Sequence, residues 1–556
     1  MRAVQGDADE LRSDEDVTTT SQNQRWIIRG LLCWVCLVML AGCGPKNYKK
    51  DADDRVYSII DQKWESEFGS QANYRISDVP ASLGDIQIEA AVPTSGVLTL
   101  PQAVAIATAH NREYQTEKEL LYTTALQLRL VRHDFETSLF GLGRAFYQDD
   151  GTGEEIGLEA NVGFNRLLTT GTQIAAGLAT TWTEVLLGTA DSGMSTIFTA
   201  SVMQPLLAGS KRAVVIENLT QAERDTLYRI RTFNRFRKTF VVWVITQYYN
   251  ALELQDLARN AEEHHRALQA LHDQVVTLTS VGRLPMLEAD RLQQEMLQAR
   301  DTMILAQKEY DRFLDRFKIT LGLSTTLEFQ LDDTVFAALA EAGVPAPQIA
   351  VDEVMDAALL RRLDMANSAD AVLDAQRAVY VAADSLRAGL GVGGSLGIDQ
   401  DGHATGTAEA ILDLPLDRVA EQKVYREALI ALAQRRRDYD LQTDTVRLEV
   451  REAYRKLQEA AQRYQVLSEA RELARERLER TAALLQYGRI SSRRVLTAQQ
   501  DLYAAENATT DAMTDYVVAV LDFYRDTGVL QVRPDGMWER APGTLAITGR
   551  TAADAP

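Results

Sequence analysis

The sequence predicts a mainly α-helical fold with a transmembrane β-barrel portion, built by duplication of a half-molecule. Three observations predict it. The chain is written twice, its longest stretches without glycine or proline occur in matched pairs, and segments of alternating polarity sit at matched places between them. Residues 278–300 read LTSVGRLPMLEADRLQQEMLQAR and residues 485–507 read LQYGRISSRRVLTAQQDLYAAEN. Each copy has a Gly-Arg turn, Gly282-Arg283 and Gly488-Arg489, that opens a glutamine-rich amphipathic helix. Pro205 recurs as Pro415, and Tyr249 as Tyr454. A unit of roughly 200 residues is far longer than a solenoid repeat, so the duplication implies two related halves with internal pseudo-symmetry.

Glycine and proline are the strongest breakers of regular structure. Neither occurs in 213–281 or in 419–487, and as continuous helix each stretch extends roughly 100 Å. Each runs to a Gly-Arg turn and is followed by a shorter breaker-free stretch, 286–321 or 490–527. A third matched pair is 102–140 with 349–388. Apolar positions such as Val446, Val450, Tyr454, Leu457, Ala461, Tyr464 and Leu467 recur every three or four residues. That is a narrow, coiled-coil-like stripe, which fits helices too long for an ordinary globule.

Between the first and second helix of each half the period changes to two. IGLEANVGFN at 156–165 alternates strictly; QIAAGLATTW at 173–182 and STIFTASVMQPLL at 195–207 follow it. The second half offers LRAGLGVGGSLGI at 386–398, a turn near 399–403, and AEAILDLP at 408–415. Segments of this length and alternation have the texture of outer-membrane strands. In a bilayer such strands must close into a barrel, and two to four per half cannot close alone, so other copies of the chain are required. Phe146, Tyr147, Trp182 and Phe198 are candidate interfacial aromatics.

The N-terminus reads as an address. Arg25 and Arg29 precede an apolar run at 31–40, then LAGC at 40–43. This is the layout of a secretory signal, and the run is too short to span a bilayer. LAGC also matches the bacterial lipobox, which makes Cys43 the lipidation site (acylated, for instance with palmitate) and the first mature residue. Gly44 after it suits sorting to the outer membrane. The acidic stretch 1–24 is unusual ahead of such a signal. A formal charge of −20 argues against nucleic acid as a partner, because phosphate binding needs a cationic surface.

Several of these residues carry a family resemblance. LTLPQAVAIA at 98–107 with NREY at 111–114, and its weaker copy at 351–365, resembles the opening helix of the TolC-type outer-membrane efflux proteins, in their lipoprotein branch. QPLL at 204–207 with Gly209 is similar to that family's strand-to-helix signature, with Pro205 and Pro415 at the two turns. Gly282, Arg283, Gly488 and Arg489 resemble its periplasmic hairpin tips. The resemblance covers about residues 98–530. It implies a homotrimer in which each protomer gives four strands to one 12-stranded barrel, continued by an α-helical periplasmic tunnel. It implies the exit duct of a tripartite efflux pump or type I secretion system, working with a periplasmic adaptor (membrane fusion protein) and an inner-membrane transporter. The first strand region exceeds a simple hairpin, and the surplus reads as an additional or extended hairpin at the outer face. The competing reading is a lipid-anchored periplasmic coiled-coil scaffold without a pore.

The expected organisation is a leader and lipoprotein signal at 1–42 and a lipidated extension at 43–97. A first repeat comes next at 98–323, with strands about 138–207 and a long helix at 213–281. A linker at 324–348 leads to the second repeat at 349–530, with strands about 386–415 and a long helix at 419–487, and then a mobile tail at 531–556. The tips are expected to dock the adaptor. In relatives, carboxylates often follow the second tip; here the matching positions are Arg494 and Thr497. Glu288 and Asp290 lie in the first copy instead, with Glu288 opposite Arg494 in the internal alignment. The candidate gate is therefore Glu288, Asp290 and Arg494, with a Glu288–Arg494 ionic latch. His264, His265 and His272 lack a completing ligand set, and the basic run Arg229, Arg231, Arg235, Arg237 and Lys238 reads as helix surface or intersubunit pairing. No catalytic motif is present, so neither enzyme activity nor any cofactor or metal is expected.

Overall fold

A computed structural model describes residues 45–68, 74–76, 96–149, 153–187, 192–336, 350–414, 416–487, 489–532 and 538–540. Cys43, Pro415 and Gly488 lie outside the described residues. The chain divides into two units, 1–59 and 60–556. The described part of the first is the start of helix α1 (Pro45–Phe68), within the stretch read as an extension. All other described elements belong to the second.

The first repeat opens with β1 (Val97–Leu98), α2 (Leu100–His110) and α3 (Arg112–His133). The breaker-free stretch 102–140 thus holds parts of two helices, the second ending at His133, and the start of a strand. Asn111 ends α2 in extended conformation and caps α3, its side chain accepting the Tyr114 N–H, while its amide donates to the Thr320 carbonyl. Asparagine supplies such a cap well because its short carbonyl reaches the first-turn amides. The second repeat breaks likewise at Arg362, between α7 (Val351–Arg361) and α8 (Leu363–Asp384).

Four strands follow α3: β2 (Ser138–Asp149), β3 (Glu154–Leu167), β4 (Gln173–Leu187) and β5 (Gly193–Pro205). Two follow α8: β7 (Gly389–Asp399) and β8 (Ala404–Asp413). They form one antiparallel sheet in the order β2-β3-β4-β5-β7-β8, so the repeats meet at β5 and β7. The resemblance implied four strands per protomer; the surplus region instead forms a complete additional hairpin in the same sheet.

A one-turn α4 (Arg212–Val215) leads into α5 (Glu217–Ser280), which hairpins into α6 (Met286–Thr320). The second repeat matches with α9 (Val419–Gln486) and α10 (Ser492–Asp526). Both long helices end alike. The Arg283 N–H bonds the Leu278 carbonyl and the Gly282 N–H bonds that of Thr279, with Gly282 at φ +76°; the Arg489 N–H bonds the Leu484 carbonyl. This six-to-one closure needs a left-handed residue, the role glycine fills at least cost. Beyond the tips, Leu268, Leu271, Val275, Leu292, Leu485, Val495 and Leu496 form a buried core joining both helical hairpins.

Between the repeats, β6 (Gln330–Leu331) pairs in parallel with β1, and Tyr248 donates to the Leu98 carbonyl at 3.0 Å. The stretch expected to be a mobile tail begins with a short antiparallel ladder, β9 (Leu530–Val532) with β10 (Trp538–Arg540).

The basic run on α5 pairs within the protomer. Arg229 meets Glu117 on α3, Arg231 meets Glu67 and Asp370, and Arg235 meets Asp364 on α8. Arg237 is buried over the Trp64 ring.

Glu253 on α5 has its carboxyl pushed from 4.5 to about 7 by burial, with Asp511 and Asp515 of α10 adding repulsion. A raised carboxyl keeps a proton in the folded state that the unfolded chain gives up, so stability falls as pH rises between about 4.5 and 7. Glu253→Gln should flatten that dependence, leaving the melting temperature at pH 8 above the parent's and at pH 5 little changed, as read by circular dichroism.

Candidate pore wall, strand-to-helix joint and hairpin tips

Successive residues of a strand point to opposite faces, so the registers assign every side chain of the sheet. One face carries Leu139, Tyr147, Ile156, Leu158, Val162, Phe164, Ile174, Leu178, Trp182, Phe198, Val202, Val392, Leu396, Ile398 and Leu412. Its charged residues, Asp149, Glu154, Glu184 and Arg166, stand at strand ends. The other face is mostly polar, carrying Arg144, Glu159, Asn161, Asn165, Thr181, Thr183, Ser195, Thr199, Ser201, Ser395, Thr405, Thr407 and Glu409 and glycines along β7, with Phe140, Leu142, Phe146, Ile197, Met203 and Ile411 among them. Asn165, Gln173, Ser201, Ser395 and Glu409 line a hollow on this polar side.

Of the four candidate aromatics, Tyr147, Trp182 and Phe198 lie on the apolar face. Phe146 is on the polar one. Its ring lies across Gly157, where a Cβ would come within 2.3 Å of it, as Phe140 lies across Gly163. The missing side chains on β3 are what let these rings lie flat. Arg144 stacks over Phe146 and pairs with Glu159.

Pro205 ends β5 at a joint between the repeats. The Leu206 and Ala208 amides bond the carbonyls of Leu390 and Ala388, and Gly209 turns at φ +74°. Its amide donates to Asp384, at the end of α8, whose carboxylate also takes Lys211 at 3.2 Å and Arg387 at 3.1 Å. The sequence reading found Pro205 but missed Asp384, whose only signal is a carboxylate at a helix C-terminus, where the dipole disfavours it. On the other side, the β3–β4 turn rests on the same joint. A Cβ on Gly171 (φ +82°) would lie 2.9 Å from Pro205, and Gln204 donates to the Thr170 carbonyl and bonds the Thr172 hydroxyl.

At the tips, Gly282, Arg283 and Arg489 are exposed, and beside them Val281, Met286, Leu287 and Tyr487 are exposed apolar groups. The structure does not join Glu288 to Arg494. The Glu288 carboxylate accepts from the hydroxyl of buried Ser492, while Asp290 and Arg494 are exposed and form no ion pair among the described residues. The two tips are still tied, by this bond and by Gln500 to Glu295 at 3.1 Å.

His264 stacks on Tyr503 at 4.6 Å. Among the described residues the metal-like cluster is Asp399, Asp401 and His403, in the β7–β8 turn. There the Asp399 carboxylate accepts the Asp401 and His403 amides, an ordinary turn arrangement.

This combination of a two-faced sheet, two matched helical hairpins and an inter-repeat joint is also found in solved proteins. The chain has the TolC-type outer-membrane channel fold. It aligns with CusC, a protein that forms a transmembrane channel, at TM-score 0.58 and 15% identity over 82% of this chain and 98% of that one. The CmeC outer-membrane channel of Campylobacter jejuni aligns at 0.58 and 13%, over 83% and 90%. The outer-membrane protein VceC of Vibrio cholerae aligns at 0.57 and 10%, over 77% and 96%. No protein-family model and no curated protein sequence matches. The neighbours on the TolC-type fold are channels, not enzymes.

Burial alone would raise the Asp384 carboxyl, but the Gly209 amide, Arg387 and Lys211 hold it below the usual aspartate range. Its depressed value means that the stability it contributes is complete above the unfolded pKa and is lost as pH falls through the folded one. Asp384→Asn should cost about 2 kcal/mol near neutral pH and nothing once the parent's carboxyl is protonated, read as a difference in melting temperature across a pH series.

Proposed function

We propose that this protein is the outer-membrane exit duct of a tripartite efflux pump or type I secretion system. A homotrimer conducts substrate passively from a periplasmic adaptor and inner-membrane transporter to the exterior. The observation that carries the reading is the two-faced sheet: an apolar face of mid-strand residues with charges at its ends, backed by a polar face. A bilayer outside and water inside account for both. The scaffold reading has no use for an exposed apolar face carrying Val162, Leu178 and Leu396. Unpaired apolar residues on the long helices, Leu441 and Leu448 on α9 and Ile304 and Leu305 on α6, support further copies packing alongside.

In this reading Cys43 carries the lipid, and the apolar and arginine-bearing tips around Gly282, Arg283, Gly488 and Arg489 dock the adaptor. The tips also form the gate, where Glu288 and Ser492 tie the two helical hairpins of a protomer and Asp290 and Arg494 face outward.

Val162→Arg should weaken assembly in the outer membrane by about 2–4 kcal/mol, whereas Asn161→Arg, one residue away on the polar face, should assemble normally. The measurement is recovery of a detergent-extracted trimer from the outer-membrane fraction. Equal tolerance of both substitutions, or release of the protein in soluble form when the lipid is removed, would favour the scaffold. Ser492→Ala should raise single-channel conductance in planar bilayers by loosening the tips; an unchanged closed state would remove Ser492 from the gate.

A further inference from the structure

Each protomer contributes six strands, not four, and we infer that three copies close an 18-stranded barrel in which β8 of one copy pairs with β2 of the next. The inference rests on the exit-duct reading and adds to it the strand count, the edges that meet and the width of the bore.

The additional hairpin, β2–β3, belongs to the wall. Its ladder runs unbroken from Ser138↔Asn165 to Asp149↔Glu154, and β3 continues into β4 from Leu167↔Gln173 to Glu155↔Val185. It carries its own share of both faces: Leu139, Tyr147, Ile156, Leu158, Val162 and Phe164 on the apolar side, Arg144, Gln148, Glu159 and Asn161 on the polar side. A hairpin standing clear of the membrane would have no need of that apolar stripe. The six strands run 12, 14, 15, 13, 11 and 10 residues, each enough to span a bilayer at about 9–11 residues. The turn that leads out of the hairpin into β4 is held against Pro205 and Gln204 at the strand-to-helix joint.

The edges determine the partner. β2 and β8 each have one neighbour in the sheet, and an open row of N–H and C=O groups in hydrocarbon is too costly to persist. Six strands cannot close by themselves, since membrane barrels start at about eight. β2 leaves helix α3 and β8 enters helix α9, so the two run in opposite senses. A second copy therefore joins antiparallel, like every other pair in the sheet, and the strand total stays even.

The widths agree. At about 4.8 Å between strands and about 40° of tilt, six strands occupy about 38 Å of circumference and four only about 25 Å. The four helices adjoining the sheet, α3, α5, α8 and α9, pack side by side, and at about 8–10 Å apart they occupy about 32–40 Å. Three copies then give a barrel roughly 36 Å across the backbone, against roughly 24 Å for 12 strands at the same tilt.

The test is disulfide formation in the full-length trimer between Leu142→Cys on β2 and a series on β8, Thr405→Cys, Thr407→Cys and Glu409→Cys. A parallel series pairs β8 with Thr181→Cys on β4, the edge that would meet β8 if β2–β3 lay outside a 12-stranded wall. Covalent trimers from the β2 series, with 18 strands counted by electron cryo-microscopy, are expected. Trimers cross-linked only through β4 would overturn the six-strand wall and leave the duct intact. A closed dimer of 12 strands would overturn the threefold count, and a species with no intermolecular pairing would overturn both readings.

Discussion

In the exit-duct reading the structure depends on one constraint, the obligation of every backbone N–H and C=O in an apolar medium to find a partner within the protein. It explains why the strands form a single sheet across two sequence repeats, when each repeat could otherwise have kept a sheet of its own. The join at β5 and β7 runs from Ile197↔Asp399 to Pro205↔Gly391, so the first repeat is bonded to the second along most of a strand. It also explains the proline. Pro205 lacks an N–H and stands at the last position of β5, where the ladder gives way to the joint and the next amide, Leu206, resumes bonding to Leu390.

That joint passes order from the sheet to the helices. Asp384 holds the Gly209 amide, and its flanking cations Lys211 and Arg387 come from opposite repeats. Below it the helices are clamped by arginine–carboxylate pairs that cross between elements: Arg229 with Glu117, Arg377 with Glu217 and Arg362 with Glu449. A partly exposed ion pair contributes little by itself. A set of pairs that ties α3, α8 and the break at Arg362 to the long helices α5 and α9 instead fixes their axial register, which uniform apolar stripes leave free to slide.

Much of this was legible in the sequence. The long helices and their Gly-Arg closures are local: an absence of breakers and one left-handed glycine suffice to read them. The β2 strand was harder. Leu139, Phe140, Leu142, Ala145, Phe146 and Tyr147 place apolar groups on both faces, so the alternation is blurred. The ladder shows why, since Phe140 and Phe146 are aimed at glycines on the neighbouring strand, a fit that no reading of β2 alone can detect. The helix breaks at Asn111 and Arg362 were hidden because neither residue is a breaker by type. The Glu288–Arg494 pair is not formed within the protomer, for a different reason. Internal alignment equates Glu288 with Arg494, but equivalence under a duplication is not contact. Within the protomer Glu288 reaches Ser492, two residues before the aligned position.

The duplication and the added hairpin bear on each other. The helices kept their pairing in number and nearly in length, 64 with 68 and 35 with 35 residues, because each long helix packs along the shorter helix of its own hairpin and α10 packs on α5 as well, so a change in one exposes the others. The sheet is under no such restraint. A hairpin adds two strands, returns the chain to the level it left, and demands only that the turn leading on to the next strand find a seat. Gln204 and Pro205 supply that seat at a joint the fold already needed. The asymmetry between the repeats therefore lies where the architecture resists it least, in the sheet, while the matched helical hairpins keep their lengths beside it.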